Sequence, residues 1–418
     1  MRGQGVAGIL LLGIYLGFVQ AACLVLYPFL RLLVFLPGSF GEGLKERLGL
    51  LKPRIGGGDL LWVHAASVGE ANAIRPLLKE ISRAGGGKKI LVSVMTSSGK
   101  KRMKSVIASR VVHPPLDAPL CVARFIKRMR PGALIVAETE LWPVMITFAA
   151  RRMPVFWVNG RISDRSYPRY RLFRPLMRRI LGGISGFFVI SKTDAARVID
   201  LGAPASRVRV MGNLKADMVG LGRIPRGVNR GEWFVAGSTR PGEEEKVLEA
   251  FRMLKGRHPR ARLVIAPRHL GRIGEVAELV EHAGLSVSFR SRGYKPDTPV
   301  LLLDTHGELA SFYRLAKAAF VGGTLVPVGG HSVLEPALAG SPVFIGPFTG
   351  NVRDETAALL KSGGAYRVRS GRELGAKLAS AWGKRGLAEA GRRARSCSLG
   401  LRGAAGRIAK ALANEGVI

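Results

Sequence analysis

Three glutamates and a lysine stand directly after apolar stretches in the first half of the chain. Glu70 follows Leu60–Ala66 and Ser67-Val68-Gly69. Glu138 and Glu140 flank Thr139 after Ala133–Ala137, and Lys215 follows Val208–Met211 in Gly-Asn-Leu-Lys. A glutamate at a helix start is favoured in its ionised form by about 0.3–1 kcal/mol, and an ionised carboxylate is what a general base requires. The same position also suits an ordinary first-turn glutamate. Two carboxylates ending a buried strand are unusual, because strand ends ordinarily carry smaller turn residues. One of the pair could cap the helix that begins at Trp142-Pro143, leaving the other for chemistry. Lys215 could neutralise a phosphate or a sugar carboxylate, or stand as an exposed loop lysine.

The second half carries groups suited to a phosphorylated ligand. Phe320–Pro347 reads as the end of a strand, a Gly322-Gly323 turn, a loop with Gly329, Gly330 and His331, a helix from near Ser332, and a second strand at Pro342–Ile345. Glycines let the backbone approach a ligand closely, and a helix start offers N–H groups and partial positive charge to a phosphate. Glu335, in the first turn, is placed to accept from ribose hydroxyls. A βαβ unit whose glycines only make turns is the plainer alternative. Pro267-Arg268-His269 follows Arg262–Ala266, and the planar Arg268 guanidinium matches phosphate oxygens while His269 suits a cap or a supporting role. His306-Gly307-Glu308 follows Val300–Leu303. Gly237–Glu243 follows Phe234-Val235-Ala236, turning towards a ligand or forming a cap.

The elements that must position these residues alternate throughout. Apolar strands at Leu60–Ala66, Ile90–Met95, Ala133–Ala137, Val155–Val158, Gly186–Ile190 and Val208–Met211 alternate with helical stretches, and Trp233–Ala236 begins a second such series. That pattern predicts an α/β fold of two doubly wound, Rossmann-like domains with parallel sheets. The Gly- and Arg-rich piece Val219–Gly231 is the best linker. The division is then an anchor over 1–36, a first domain over 37–220, a linker over 221–231 and a second domain over 232–418. The last of these ends in a basic helical tail from about Arg372. Open α/β sheets bind ligands at the carboxyl ends of their strands, so Glu70, Glu138, Arg268 and the Gly322 turn are expected to line one cleft.

Composition narrows the partners. Lys and Arg total 65 against 29 acidic residues, a net charge of +36, which implies an anionic partner (nucleic acid, an acidic membrane surface or a phosphorylated substrate) without specifying the fold. Cys23, Cys121 and Cys397 lie far apart in sequence with no metal-binding spacing, which fits a reducing compartment and no structural zinc. Val6–Leu30 holds no charge, and as a helix it would span roughly 37 Å, enough to cross a bilayer. Only Arg2 precedes it while Arg31, Lys45, Arg47, Lys52 and Arg54 follow, which places the rest of the chain on the cytoplasmic side. Arg151–Arg179 carries nine arginines against one acid, Asp164, with aromatic residues between them. Without a nucleic-acid recognition signature, contact with anionic lipid headgroups fits that segment better than nucleic acid.

Taken together, these motifs resemble the 3-deoxy-D-manno-octulosonic acid (Kdo) transferases of lipopolysaccharide assembly. The resemblance spans nearly the whole chain: the apolar N-terminus, Ser67–Glu70, Glu138–Pro143, Gly212–Lys215, Pro267–His269 and Gly322–Pro336. It implies a GT-B glycosyltransferase of the bacterial inner membrane, moving Kdo from CMP-Kdo to a lipid A precursor with inversion and with no metal or other cofactor. Carried over by position, Glu70 is the general base, and Glu138 and Lys215 are the transition-state stabilisers. Pro267, Arg268, His306, Gly307, Glu308, Ser332, Val333, Leu334 and Glu335 are the CMP contacts. Glu140, His269, Gly322, Gly323 and His331 are secondary candidates.

The chain departs from the family pattern at His331-Ser332-Val333-Leu334-Glu335, where His-Asn-Pro-Leu-Glu is common, and at Ala216, where an aromatic residue usually precedes Asp. Two other classes compete. A UDP-sugar transferase or UDP-N-acetylglucosamine 2-epimerase shares the glycine-rich turn and a ribose-binding acid, but demands neither the anchor nor Glu138–Pro143. A nucleic-acid-binding protein rests on charge alone.

Overall fold

The computed structural model describes residues 2–35, 39–51, 59–84, 87–103, 108–218, 220, 232–295 and 297–418. The linker expected over 221–231 lies outside the described residues. The chain divides into two compact units, Met1–Met218 with Gly403–Ile418, and Val219–Arg402.

The first unit holds a sheet of β1 (Leu60–Ala65), β2 (Lys89–Val94), β3 (Arg110–Val112), β4 (Ala133–Ala137), β5 (Val155–Gly160), β6 (Gly186–Val189) and β7 (Val208–Val210). Their order is β3-β2-β1-β4-β5-β6-β7, with every pairing parallel. β1, β4, β5 and β6 are buried along their whole length. That is why they read as unbroken apolar runs instead of alternating ones. The strand order reverses between β1 and β4, so the crevice this topology provides lies where Glu70 and Glu138 emerge.

The second unit repeats the plan with β8 (Trp233–Thr239), β9 (Arg262–Pro267), β10 (Val287–Phe289), β11 (Val300–Leu302), β12 (Ala316–Val321), β13 (Val343–Ile345) and β14 (Ala365–Arg367). Its parallel order is β10-β11-β9-β8-β12-β13-β14, with the reversal between β8 and β12. The sequence pattern does not reveal β3 or β14, three-residue edge strands with basic residues. The helical stretch that opens after Ser67 is broken in two at Ile74, as Val68–Ala73 and Arg75–Arg83, with a proline in the first turn of the second piece.

One domain assignment needs correction. The stretch Gly403–Ile418 belongs to the first unit, not to the end of the second. Its helix, Ala404–Asn414, buries Ile408 and Leu412 in the cluster that contains Leu77, Leu78 and Ile81. Burying each such side chain is worth about 1.5–3 kcal/mol. Asp217 fixes the approach, accepting from the Ala405 N–H at 2.7 Å, while Arg407 donates to the Met211 carbonyl.

The N-terminal helix α1 (Arg2–Leu33) contains Pro28 and, from Ala7 to Leu33, is long and apolar enough to cross a membrane. It nonetheless packs on the first unit, against the helices Pro119–Met129 and Arg174–Leu181. Gln20 accepts from the Leu120 N–H at 3.1 Å, and Tyr27 accepts from Arg124. Its outer face exposes Leu10, Ile14, Phe18, Val25 and Phe29.

Candidate active site

The first unit brings Glu70, Glu138, Glu140 and Lys215 together. Glu70 enters through a capping box: Ser67 Oγ accepts from the Glu70 N–H at 3.1 Å, and Glu70 Oε2 accepts from the N–H groups of Ala66 (2.8 Å) and Ser67 (3.4 Å). Both bonds use Oε2, so the cap leaves the other oxygen out of its geometry. A helix start favours an ionised Glu70, but burial pushes its pKa up, and the nearby Glu138 adds to the rise despite the capping bonds. A raised carboxylate accepts a proton more readily, which favours a base working near neutral pH.

Glu138 is placed by an uncommon backbone. Its φ is +52°, held by its N–H to the Val158 carbonyl at 2.9 Å and by the Trp157 indole, which donates to the Glu138 carbonyl. Its Oε1 lies 2.7 Å from Lys215 Nζ. Asn159, also at φ +52°, is buried, donates to Glu138 Oε1 at 3.4 Å and accepts from the Leu214 N–H at 2.8 Å. It thus ties the end of β4 to the start of the helix Leu214–Met218, which carries Lys215. The sequence reading missed Asn159, although Asn-Gly at a strand end is the signal of a left-handed residue.

Neither Glu138 nor Glu140 caps the helix Pro143–Ala150. Trp142 stands at its N-cap without a side-chain bond, and Asp117 accepts from the Val144 (3.2 Å) and Met145 (2.7 Å) N–H groups instead. Glu140 accepts from the Trp142 indole at 2.7 Å, and burial followed by Glu70 raises its pKa. Trp142 in turn meets the edge of His64, which is fully buried with Nδ1 2.9 Å from Ser93 Oγ. Burial lowers the His64 pKa to about 4, so the imidazole is neutral.

In the second unit Arg240, which lies in the Gly237–Glu243 stretch but does not stand out there by itself, joins two of the candidates. Its Nε donates to His331 Nε2 at 3.1 Å, and its NH1 lies 2.8 Å from His269 Nε2. Burial, then the charges of Arg240, Arg268 and His269, lower the His331 pKa to about 4. Burial raises the Glu335 pKa, opposed by a hydrogen bond from Ser332 and by the charge of Arg268. Arg268, His269, His331 and Glu335 therefore share one locality with Arg240, at the carboxyl ends of β8, β9 and β12.

The glycine-rich turn behaves otherwise than expected. The N–H groups of Gly323, Thr324 and Leu325 donate to the buried Glu243 carboxylate at 2.7, 3.0 and 2.8 Å, and the Arg240 N–H adds a fourth bond at 3.0 Å. The turn cradles an anion, but that anion is a side chain of the protein. Gly322 serves close packing: a Cβ there would fall 2.2 Å from the Ser238 carbonyl oxygen. The helix after it, Leu334–Ala339, starts later than Ser332 and carries no side-chain cap. Val333 and Leu334 are buried in the core. Pro267 ends β9 as a buried residue. Glu308 faces Arg290, which donates from NH2 at 2.9 Å, and Thr305, and Arg290 holds its pKa down. His306 is exposed, and Gly307 has φ +84°.

Comparison with known proteins adds to this geometry. Residues 42–218 match the family model described as 3-deoxy-D-manno-octulosonic-acid transferase (kdotransferase). A 3-deoxy-D-manno-octulosonic acid transferase of Haemophilus influenzae is 33% identical over 323 residues, 74% of this chain and 76% of that one. One from Aquifex aeolicus is 34% identical over 323 residues, 76% of this chain and 84% of that one. The chain belongs to the Kdo transferase family.

Family membership makes it a glycosyltransferase. It also spans about half the length of one relative, a bifunctional glycosyltransferase/methyltransferase of Fusobacterium nucleatum, at 34% identity and 51% of that protein. Among solved structures, UDP-GlcNAc 2-epimerase from Neisseria meningitidis bound to UDP-GlcNAc has a TM-score of 0.58 at 13% identity, covering 85% of this chain and 99% of that one. Anabaena Alr3699/HepE in complex with UDP has a TM-score of 0.60 at 14% identity, with the same coverage. At such identity these two establish the GT-B fold alone, and the epimerase likeness carries no chemistry.

Proposed function

We propose that the chain transfers Kdo from CMP-Kdo to a hydroxyl of a lipid A precursor, with inversion at the anomeric carbon. The observation that carries this reading is the placement of Glu70, with a raised pKa, beside the Glu138–Lys215 pair at the strand-order reversal of the first sheet. In the step envisaged, Glu70 takes the proton of the acceptor hydroxyl while its oxygen forms the bond to the anomeric carbon. The bond from that carbon to the CMP oxygen breaks, and CMP leaves with the electron pair. Lys215, oriented by Glu138, stabilises charge at the Kdo carboxylate in the transition state.

On the donor side, Arg268 and Arg240 take the phosphate of CMP, and Glu335 takes ribose hydroxyls. The hydrogen bond from Arg240 to His331 supports the guanidinium in a fixed orientation. This reading assigns the leaving-group charge to these arginines and no step to a metal ion. The basic residues after α1 support a cytoplasmic face of the inner membrane as the location.

The test is incubation of the full-length protein with CMP-Kdo and a tetraacylated, bis-phosphorylated disaccharide acceptor. The product mass gives transfer and the number of additions, and proton NMR gives the anomeric configuration. Glu70→Gln keeps a side-chain oxygen for the capping box, so it is expected to fold and bind CMP but to lose transfer. Near-normal turnover by that variant removes Glu70 as the base. Arg268→Ala is expected to weaken CMP binding, and tighter binding of UDP than CMP by the wild type would favour a UDP-sugar enzyme.

A further inference from the structure

A cavity of about 410 Å³ lies between α1 and the helices Pro143–Ala150 and Arg174–Leu181. Its walls include Ile9 of α1, Thr147 and Ala150, and the three arginines Arg151, Arg178 and Arg179, with no Asp or Glu among the lining residues. Topology sets its place. Ala150-Arg151 lead into β5 and Gly182-Gly183 lead into β6, so the cavity is at the amino ends of the strands. Glu70 and Glu138 follow the carboxyl ends of β1 and β4. A six-residue strand spans roughly 20 Å, which separates a group bound here from the reacting carboxylates.

The anchor helix closes over this cavity at short range. A Cβ on Gly8 would fall 2.4 Å from the Pro175 carbonyl oxygen, and Leu12 is buried. Ile9 lines the cavity and is also 55% exposed, so the rim is continuous with the apolar outer face of α1 at Leu10 and Ile14. Cations in the last turn of the helix Arg174–Leu181 complement its dipole. That role accounts for Arg178 and Arg179 as charges, but not for the cavity built over them.

We propose that this cavity binds the headgroup phosphate of an anionic membrane phospholipid, whose acyl chains lie over Ile9, Leu10 and Ile14. Forked guanidinium donors match phosphate oxygens, and the apolar rim matches the chains. The lipid fastens α1 to the first unit at the membrane surface. The proposal rests on α1 being membrane-associated and is independent of Kdo transfer.

Native mass spectrometry of the full-length chain in detergent tests it, with phosphatidylglycerol, phosphatidylcholine or inorganic phosphate added. The wild type is expected to retain one phosphatidylglycerol, and neither of the others at equal concentration. Thr147→Phe fills the cavity and keeps every charge; it is expected to weaken phosphatidylglycerol binding by about tenfold or more. Arg178→Ala/Arg179→Ala does the same should the filled cavity unfold in a thermal melt. Arg385→Ala/Arg392→Ala removes two charges in the second unit and is expected to change nothing. Equal loss in that control overturns the proposal, as does phosphatidylglycerol binding untouched by both cavity variants. Equal retention of phosphatidylcholine or phosphate overturns the assignment to an anionic lipid.

Discussion

Lys215 Nζ lies 2.7 Å from Glu138 Oε1, and Glu138 meets it from a left-handed backbone with φ +52°. A non-glycine residue in that region carries about 1–2 kcal/mol of strain, so the surroundings fix the carboxylate where relaxation would move it. Strain of this kind clusters at active sites and ligand clamps.

Lys215→Met separates the two roles of that pair. Lys215 is 50% exposed, so losing the ion pair is expected to change stability by less than about 1 kcal/mol. Turnover is expected to fall by about 10²-fold, as for removal of one transition-state stabiliser. Denaturant unfolding and kcat from the Kdo transfer assay check both numbers. Unaltered kcat would leave Lys215 only a partner for Glu138.

The pH profile reports Glu70. With Glu70 as the proposed base, which must be deprotonated to act, kcat/KM is expected to rise with pH through the Glu70 pKa. Burial first and Glu138 second raise that pKa, which places the limb above the ordinary glutamate range. Glu138→Gln removes the second cause, so the limb of its residual activity is expected to move to lower pH. A limb that stays in place disconnects the two carboxylates.

Asp117 predicts a pH-dependent stability. Burial pushes its pKa up to about 6 although two N–H groups oppose the rise. The folded state therefore binds this proton more tightly than the unfolded chain. Its contribution is present in acid and is lost as pH rises through about 6. Asp117→Asn retains an acceptor for the helix start but cannot ionise. It is expected to be less stable than wild type at pH 4 and to gain on it by up to about 3 kcal/mol by pH 7.5. Urea unfolding at the two pH values measures the difference. A constant gap means that Asp117 does not titrate as described.

Glu243→Gln should damage the second unit. Its carboxylate accepts four backbone N–H groups, and an amide would turn one N–H₂ against such donors. The expected cost is about 2–4 kcal/mol, read by thermal or denaturant unfolding, with CMP affinity falling as the turn loosens. A stable variant with a normal turn would show that the N–H groups find other acceptors.

Cys23 and Cys121 report the docking of α1. Their Sγ atoms are 3.9 Å apart, and burial pushes the Cys121 thiol up to about 12. At neutral pH they are expected to resist spontaneous oxidation yet to form a disulfide with copper–phenanthroline, found by peptide mapping of the full-length protein. Absence of that crosslink would place α1 away from the helix Pro119–Met129.

Much of the candidate site was legible because its residue types stand where a strand end would not otherwise carry them. Glu138 and Glu140 after Ala133–Ala137, and Arg268 after Arg262–Ala266, stand out against apolar strands. Arg240, Asn159 and Asp117 do not, because a single Arg, Asn or Asp in a turn has many ordinary uses. Their partners, His331, Glu138 with Leu214, and Met145, come from distant stretches.

By itself the sequence determined the two parallel sheets, since strands buried on both faces must be continuously apolar, and it determined an apolar helix at the N-terminus. It also placed Glu70 and Glu138 at strand ends. Only the tertiary structure decided how donors and acceptors were shared out: it gave the N–H groups of Gly323, Thr324 and Leu325 to Glu243 and the helix start at Pro143 to Asp117. It also brought Cys23 to Cys121 and returned Gly403–Ile418 to the first unit. The reason is physical. Periodicity records which faces of an element are buried, whereas a hydrogen bond or a packed pair depends on two chain positions meeting, which neither position encodes alone.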